Sequence, residues 1–472
     1  MEQMTVRMIA EAAGGRLLCG NPDAPIEHIS IDSRTMKGND LFVPLIGEKV
    51  DAHRFIGQAF QAGAKAVLTS EHEEADPSID GDGAYAWIQV EDTKAALQSI
   101  GSWYRDRLTL PLIGVTGSVG KTTTREMIAA ALSAGYRTYK TPGNSNSQVG
   151  VPITISEISS GDEIGVIELG VSEPGEMHRI AMVAKVDQAV MTNIGIAHIE
   201  QLGSQANICA EKLHIQDGMK EGGCLYVNGD DPILKHVEAK AGCRTIYYGT
   251  GANCDYQAVD IRTEEGHPVF TALCQESGEY ASVRLQVFGA HMILNAMVAI
   301  AVARENGIPM AEAARALENF HGMKGRQQIQ TVRGITVIDD SYNASPVSMK
   351  AGIQVLCDMP AEGRKFAVLA DMKELGERTV EYHREIGSFL AERKEKLDVV
   401  ALYGELAAEI GKRLEGALGG SGDFRCRVFY FQDKKQMEDW LKTELKSGDC
   451  VLFKGSNSMG LSAVAASFLD EN

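Results

Sequence analysis

The stretch GVTGSVGKTTT, residues 114–124, lies between the apolar run LPLIG and a segment with helical spacing, TTTREMIAAALSAG. A strand that turns through closely spaced glycines into a helix lets several backbone N–H groups surround one anion, because glycine has no side chain to block their approach. The common phosphate-binding loop would have its first glycine at position 115, where this chain has Val115 between Gly114 and Gly117. With the strand, the helix, the lysine and the threonine all in place, the stretch predicts a nucleotide-binding α/β domain rather than an ordinary glycine-rich turn.

The residues around the glycines predict how a nucleotide would be held. In a loop of this kind the lysine reaches the β and γ phosphates and the next hydroxyl binds Mg²⁺, which points to Lys121 and Thr122. The N-K-x-D signature of guanine-specific switch proteins is absent from the sequence, which favours ATP. The predicted nucleotide contacts of the loop are Gly117, Ser118, Gly120, Lys121, Thr122 and Thr123.

Composition limits the partners of such a site. The chain has 472 residues and a formal net charge of −18, which argues against a nucleic-acid backbone or an anionic membrane as the main partner. No apolar run is long enough to cross a bilayer, and the first residues lack a signal-peptide core. Nine cysteines occur singly, with no C-x-x-C pair, as is usual in a reducing cytosol. We therefore expect a cytoplasmic protein that binds no nucleic acid and does not insert into a membrane.

The alternation of apolar runs with helical segments predicts an α/β fold of three domains. Residues 1–90 are expected to form a small α/β domain, residues 91–322 a central domain with a parallel sheet, and residues 323–472 a Rossmann-like domain. Residues 91–108 have helical spacing and would connect the first two domains. Short alternating segments over 254–288 indicate an antiparallel excursion, and five strands are expected in the last domain.

Three polar residues beyond the loop fall where metal ligands could lie. Glu168 ends the apolar run of EIGVIELG, where a P-loop enzyme usually has a second Mg²⁺ ligand, although a glutamate alone at a strand end is more often a solvated edge residue. His198 follows another strand end and Lys212 falls on a helix. By residue type alone, His198 would be interpreted as a structural histidine and Lys212 as a solvated surface charge.

The last domain contributes four further candidates. Asp339 and Asp340 end a strand and enter SYNASP, where a carboxylate could simply cap the next helix. Arg326 and Lys454 are basic residues beside glycines at the ends of elements, which makes them candidates for anion contacts. None of the four defines a site by itself.

These motifs occur together in one known family. The chain resembles the Mur ligase family along essentially its whole length, in the order and spacing of the segments DSRTMKGNDLFVPLIGEKVDAHRF, GVTGSVGKTTT, TPGNSNSQVGVPIT, VIELG, NIGIAHIEQLGS, MKGRQQ, DDSYNASPVSM, LADMKELGE and FKGS. The family has an N-terminal domain for a UDP-sugar, a central ATPase domain and a C-terminal Rossmann-like domain. That arrangement matches the three predicted domains.

The resemblance also implies a reaction. Mur ligases form an amide after ATP activates a carboxylate as an acyl phosphate, and we expect ATP, two Mg²⁺ ions and a monomer here. DDSYNASP resembles the member that adds D-alanyl-D-alanine to UDP-N-acetylmuramoyl-tripeptide, whereas members that add one amino acid have DYAHTPD-like or NDSKATN-like stretches. A single-amino-acid Mur ligase, folylpolyglutamate synthase and a non-catalytic P-loop scaffold are the alternatives. DDSYNASP disfavours the first, and the N-terminal 90 residues and the GKTTT loop disfavour the second.

The resemblance assigns roles to residues on the nucleotide side. Lys121 and Thr122 would handle the phosphates and the first Mg²⁺, Glu168 would bind metal, and His198 would help hold a second Mg²⁺. Lys212 matches a lysine that family members often carbamylate, which turns a cation into a metal-binding carboxylate. The adenine, the phosphates and the ribose would be contacted in turn by Asn295, Arg326 and Asp340.

The implied substrate contacts fall in three places. The residues near the UDP moiety would be Ser33, Arg34, Asp51 and His53. The residues of a loop near the sugar-peptide would be Asn144 and Asn146. DMKELGE and KGS would help form the dipeptide pocket, and the further substrate contacts would be Tyr342, Asn343 and Lys454.

The chain departs from the family pattern at three points. Met292 stands where H-N-x-x-N has its first asparagine, and Asn457 stands where K-G-S-R has arginine. Both changes are expected to alter contacts to ATP or substrate without changing the class of reaction. Around Lys212 the usual A-K-G-E-I becomes EKLHI, which changes the surroundings of the lysine.

Overall fold

The computed structural model describes residues 1–80, 83–418 and 426–469. The first domain is a five-stranded sheet of order β2-β7-β6-β5-β4, in which only the β2–β7 pair is antiparallel, with a two-stranded ribbon of β1 and β3 beside it. The elements are β1 Met4–Thr5, α1 Val6–Ala13, β2 Arg16–Cys19, β3 Pro25–Ile26, β4 His28–Ser30, β5 Asp40–Phe42, α2 Ile56–Ala62, β6 Ala64–Thr69, β7 Ala86–Gln89 and α3 Thr93–Arg105.

The central domain is built on a nine-stranded sheet of order β16-β15-β14-β13-β12-β11-β8-β10-β9. Strands β8 to β14 are parallel, and β15 and β16 extend β14 as an antiparallel meander, as the pattern over 254–288 predicts. The elements are β8 Leu112–Thr116, α4 Lys121–Leu132, β9 Thr138–Lys140, α5 Gly150–Ser156, β10 Ile164–Glu168, α6 Glu176–Ala184, β11 Gln188–Met191, α7 Ile199–Leu202, α8 Gln205–Leu213, β12 Cys224–Asn228, β13 Arg244–Gly249, β14 Tyr256–Glu264, β15 His267–Cys274, β16 Tyr280–Arg284, α9 Met292–Glu305 and α10 Met310–Leu317.

The last domain has a six-stranded sheet of order β17-β18-β22-β19-β20-β21. The elements are β17 Gln328–Val332, β18 Ile335–Asp339, α11 Pro346–Asp358, β19 Lys365–Ala370, α12 Thr379–Ala391, β20 Val399–Tyr403, α13 Ala407–Leu418, β21 Arg427–Phe431, α14 Lys434–Glu444, β22 Cys450–Lys454 and α15 Leu461–Leu469. The prediction of five strands was wrong by one, because β17 was missed. Its sequence QIQTV is largely polar, and it is held as the antiparallel edge of a hairpin that turns through Arg333 and Gly334, both at positive φ.

The first two domains share one hydrophobic core, which runs from Met4 to Val237. Helix α3 lies at their junction, and a Cβ atom on its Gly101 would come within 2.5 Å of Pro152 in α5. The hydroxyl of Tyr104 on the same helix donates to the carbonyl of Ile158 at 2.9 Å. The last domain has two separate core clusters, and Ile196 and Phe288 of the central domain pack against one of them.

The three-domain α/β fold predicted from the sequence is confirmed, and each of the three large sheets lies within one predicted domain. None of the helices within the described ranges is both long enough and apolar enough to span a bilayer.

Candidate active site

The glycine loop is attached to the neighbouring strand end. Strand β8 lies between β10 and β11, with which it is parallel, so the loop that follows it emerges at the carboxyl edge of parallel strands, the usual ligand edge. Asn193, just after β11, accepts from the Ser118 N–H through its carbonyl and from the Val119 N–H through Oδ1, both at 3.0 Å. Gly117 has φ +149°, and a Cβ atom there would lie 1.9 Å from Thr192 Oγ1. The glycine is therefore required by a close contact as well as by its backbone angle.

The N-terminus of α4 fits an anion. Gly120 precedes the helix with φ +86° and offers no side-chain cap, so the first N–H groups of a twelve-residue helix face the loop. The ammonium of Lys121 bends back to the carbonyl of Gly117 at 3.0 Å. The hydroxyl oxygen of Ser118 is buried without a hydrogen-bond partner among the described residues. Open N–H groups, a cation and an unsatisfied hydroxyl are the donors that a polyphosphate needs, so the loop fits the nucleotide predicted for it.

Glu168 ends β10 beside the loop and is almost wholly buried. Asn146 Nδ2 donates to its Oε1 at 2.7 Å, and Arg125 Nη1 to its Oε2 at 3.3 Å. The buried carboxylate thus has one neutral and one cationic partner, which together hold its two oxygens in place beside the loop. A carboxylate and the hydroxyl of Thr122 are oxygen ligands of the type that Mg²⁺ prefers, so the donors fit this ion.

Arg125 is a site residue that sequence reasoning missed. It lies one helical turn after Lys121, on the same side of α4, and its guanidinium also donates to the carbonyl of Gly143 at 2.9 Å. Through Glu168 and Gly143 it joins the phosphate-loop helix to the loop that carries Asn144 and Asn146. The four-residue spacing from Lys121 is the signal that could have identified it.

His198 lies opposite the loop, in the left-handed conformation with φ +60°. Its Nδ1 is 3.0 Å from Oε2 of Glu374, which belongs to the last domain and also has positive φ. Burial lowers the pKa of His198, against an opposing effect of Glu374. A neutral imidazole is the form that binds a metal ion, so the surroundings suit the predicted role. Glu374 was not singled out by its sequence, although it falls within DMKELGE.

Lys212 is buried near the end of α8, close enough to Lys121 for the two positive charges to interact. Burial, together with the charge of Lys121, lowers the pKa of Lys212 to about 7. Its neighbour Glu211 accepts from the N–H groups of Gly175 and Met177 at 2.8 Å and so caps the start of α6. The glutamate of the unusual EKLHI sequence therefore fixes the placement of the helix that carries the lysine.

The last domain places its charges at the ends of neighbouring strands. Lys454 ends β22 and donates to Asp340 Oδ2 at 2.6 Å, with the Asn343 carbonyl as another acceptor at 3.2 Å. Burial raises the pKa of Asp340, and the Lys454 ammonium opposes that effect. The Arg326 guanidinium stacks over the Tyr342 ring, 4.0 Å from its centroid.

Asn295 lies on α9 beside the loop. Its Oδ1 accepts from the hydroxyl of Thr124 at 3.0 Å, and its Nδ2 lies 3.6 Å from the sulfur of Met292. Met292 thus occupies the space beside Asn295 as a weak acceptor.

One cavity of about 950 Å³ between the central and last domains brings most of these residues together. The predicted site residues that line it are Ser118, Gly120, Lys121, Thr122, Thr123, Asn144, Asn146, Glu168, His198, Asn295, Arg326, Asp340, Tyr342, Asn343 and Lys454. Gly117 and Lys212 are not among its lining residues, and the residues predicted for the UDP moiety lie in the first domain.

Those first-domain residues form two local groups. Arg34 is exposed and pairs with Asp32 at 2.7 Å, which lowers the pKa of Asp32 to about 2, and Ser33 lies between them. His53 is buried, with Nδ1 2.7 Å from Asp51 Oδ1 and with Nε2 accepting from the Ser70 N–H at 3.2 Å. Both ring nitrogens of His53 are used within the protein, so its contribution near a UDP group would be to position Asp51.

A phosphate-binding loop in a parallel sheet, facing a Rossmann-like domain across one polar cavity, defines a P-loop nucleotide-binding protein of three α/β domains. The chain belongs to the Mur ligase family: the Mur ligase middle domain matches residues 115–303, the glutamate ligase domain matches residues 325–457, and the family's catalytic domain matches residues 25–105. The resemblance drawn from the sequence motifs is thereby confirmed.

Similar proteins cover the whole chain. The UDP-N-acetylmuramoyl-tripeptide–D-alanyl-D-alanine ligase of Bacillus subtilis strain 168 is 38% identical over 473 residues, which span 100% of this chain and 99% of the relative. A crystal structure of MurF from Acinetobacter baumannii aligns with a TM-score of 0.85 at 28% identity, over 99% of both chains. MurF ligase from Thermotoga maritima, solved in complex with ADP, aligns with a TM-score of 0.79 at 29% identity, over 94% of this chain and 97% of that one.

Proposed function

We propose that this chain uses ATP to join D-alanyl-D-alanine to the C-terminal carboxylate of UDP-N-acetylmuramoyl-tripeptide, a step in peptidoglycan precursor synthesis. The observation that carries the proposal is that residues of the phosphate loop, of DDSYNASP and of the DMKELGE loop line one and the same cavity. The full-length likeness to a relative of that name, at 38% identity, supports the same substrates.

The charges of the cavity suit carboxylate activation. In the proposed reaction the tripeptide carboxylate attacks the γ-phosphate to give an acyl phosphate and ADP, and the dipeptide amine then displaces phosphate. The loop N–H groups, Lys121 and Arg326 would offset the negative charge that both reactants bring to the transferred phosphoryl group. Asn146 would help hold Glu168 in place. The wall formed by the last domain would keep water from the acyl phosphate.

We further propose that the site holds two Mg²⁺ ions. Thr122 and Glu168 would hold the first, and His198 with a carbamylated Lys212 would hold the second. When bound, the ions would supply Lewis-acid stabilisation of the phosphoryl oxygens. A buried lysine near a second cation supports this assignment, since conversion to a carbamate removes one of two like charges.

Turnover should depend on CO₂ if Lys212 is carbamylated. With a pKa of about 7, a large share of the amine is uncharged near neutral pH and able to react. In CO₂-depleted buffer we expect turnover to fall about tenfold or more, as when a metal-site interaction is lost, and bicarbonate to restore it. The Lys212→Arg variant should be slow and should not respond to bicarbonate. Equal turnover with and without CO₂, with no CO₂ adduct in the intact mass, would contradict carbamylation.

Phosphate release measured with each substrate alone and with both together tests the proposed reaction. We expect ATP turnover and formation of the UDP-linked pentapeptide only when tripeptide and D-alanyl-D-alanine are both present. Free amino acids in place of the dipeptide should give no product; product with one of them would instead identify a single-amino-acid ligase. ATP turnover that requires neither the tripeptide nor the dipeptide would contradict the proposal.

We also propose that the protein acts as a monomer in the cytoplasm. The phosphate loop, the candidate metal ligands and the last-domain residues come from one chain, which supports a complete site without a partner. All nine cysteines are free thiols, as expected for a reducing compartment. Light scattering at assay concentration tests the oligomeric state.

A further inference from the structure

Three side chains with metal-binding atoms meet in the central domain, and none of them lines the cavity. His178 lies on α6, while His214 and Asp217 lie on the turn that follows α8. Nδ1 of His178 is 2.6 Å from Asp217 Oδ2, and Nδ1 of His214 is 2.8 Å from the same oxygen. The two imidazole rings are nearly perpendicular, with centroids 6.0 Å apart.

The spacing of these atoms is close to that of a tetrahedral metal site. All three ligand atoms lie within 4.8 Å of one another. Around a zinc ion with bonds of about 2.0–2.1 Å, neighbouring ligand atoms are about 3.3 Å apart. Each nitrogen–oxygen pair would therefore need to separate by less than about 1 Å, which rotation of partly exposed side chains can supply. The side chains of His178, His214 and Asp217 are 57%, 49% and 27% exposed, so an ion and a completing water molecule can enter.

The backbone that carries the ligands is already held in place. The Asp217 N–H donates to the His214 carbonyl at 3.0 Å, which fixes the turn that bears both residues. Glu211, one turn earlier, caps the start of α6 through Gly175 and Met177, so the helix that bears His178 is tied to α8. Metal binding would thus order side chains only, which lowers its entropic cost.

The donor set also indicates the class of ion. Two imidazole nitrogens and one carboxylate oxygen, with one position left open, suit zinc and similar borderline divalent ions, whereas Mg²⁺ takes most of its ligands from oxygen and is poorly served by a set in which nitrogen is the majority. We propose that His178, His214 and Asp217 form a zinc-class binding site that fastens α6 to the end of α8. The site is separate from the Mg²⁺ sites proposed in the cavity and does not depend on the proposed ligase activity.

Zinc titration of the full-length, chelator-treated protein in excess Mg²⁺ tests the site. We expect the wild type to bind one equivalent of Zn²⁺, and the variants His178→Gln and Asp217→Asn to bind it at least tenfold more weakly. We also expect Zn²⁺ to raise the Tm of the wild type but not that of these two variants. His236→Gln, which removes an exposed histidine elsewhere in the central domain, is the matched control and should bind as the wild type does.

Co²⁺ in place of Zn²⁺ identifies the ligands. A visible absorption spectrum typical of tetrahedral Co²⁺, without a thiolate charge-transfer band, would support the site if that spectrum is lost in His178→Gln. If His178→Gln bound zinc with the same affinity and stoichiometry as the wild type, the proposal would be overturned. A thiolate band on the bound Co²⁺ would also overturn it, because it would assign the ion to one of the nine cysteines.

Discussion

Replacing Lys121 with alanine is expected to lower ligase turnover by about 10²–10³-fold while the protein stays folded. The ammonium lies at the start of α4, 3.0 Å from the Gly117 carbonyl, beside open N–H groups. A preorganised cation that faces the transferred phosphoryl group stabilises the charge of the transition state, and loss of a single comparable donor costs about 10²–10³ in rate. Coupled phosphate release measures the loss, and the thermal unfolding profile shows whether the fold is kept.

Two further variants sharpen this test. Lys121→Arg keeps the charge but not the compact shape of the ammonium, so we expect it also to lose most of its turnover. Lys94→Ala removes an exposed lysine of α3 and should act as the wild type does. If Lys121→Ala retained more than about a tenth of wild-type turnover, the loop would not be the site of phosphoryl transfer.

Replacing Lys454 with methionine is expected to destabilise the last domain by about 3–5 kcal/mol. Lys454 and Asp340 are both buried, and their atoms are 2.6 Å apart at the ends of β22 and β18. Methionine would fill much of the same volume but would leave Asp340 as a buried charge without its cation, which is the costly outcome for a broken buried pair. Hydrogen exchange of β18 and β22 measures the loss, and β6 of the first domain serves as an internal reference.

The double variant separates charge from packing. Asp340→Asn combined with Lys454→Met removes both charges, so we expect it to recover part of the lost stability. Lys442→Met removes a surface lysine of the same domain that pairs with Glu438, and it should change stability by no more than about 0.5 kcal/mol. An effect of Lys454→Met as small as that of Lys442→Met would show that the pair contributes little.

The pair also has a consequence for the nucleotide. Asp340 was predicted to contact the ribose and Lys454 the substrate, yet each has the other as its main partner. A ligand bound beside them would meet a fixed pair with little net charge. We therefore expect their effect on ATP affinity to be smaller than their effect on stability.

Local patterns were sufficient for the fold class and the family. The P-loop helix starts at Lys121, and β10 ends at Glu168, as the apolar runs beside them predict. Strand β17 was missed because its residues alternate weakly and it is held by a hairpin rather than by burial of an apolar face. Such an edge strand has little signal of its own within the sequence.

The site was predictable in its parts, because each part is a short segment at the end of a strand or the start of a helix. The hydrogen-bond and ion-pair partners of these side chains were not predictable from the sequence. Arg125 and Glu168 are 43 residues apart, Lys454 and Asp340 are 114 apart, and His198 meets Glu374 across two domains. No periodicity within one segment connects such positions.

The sequence alone therefore determined the fold class, the position of the glycine loop between a strand and a helix, and the family to which the chain belongs, since these depend on neighbouring residues. Only the tertiary structure decided that Glu168 is held by Arg125, that Lys454 is paired with Asp340, and that His178 meets His214 and Asp217. The reason is physical: a buried or shared charge takes its partner from whichever elements the packing brings within a few ångströms, and that choice is made by the whole fold.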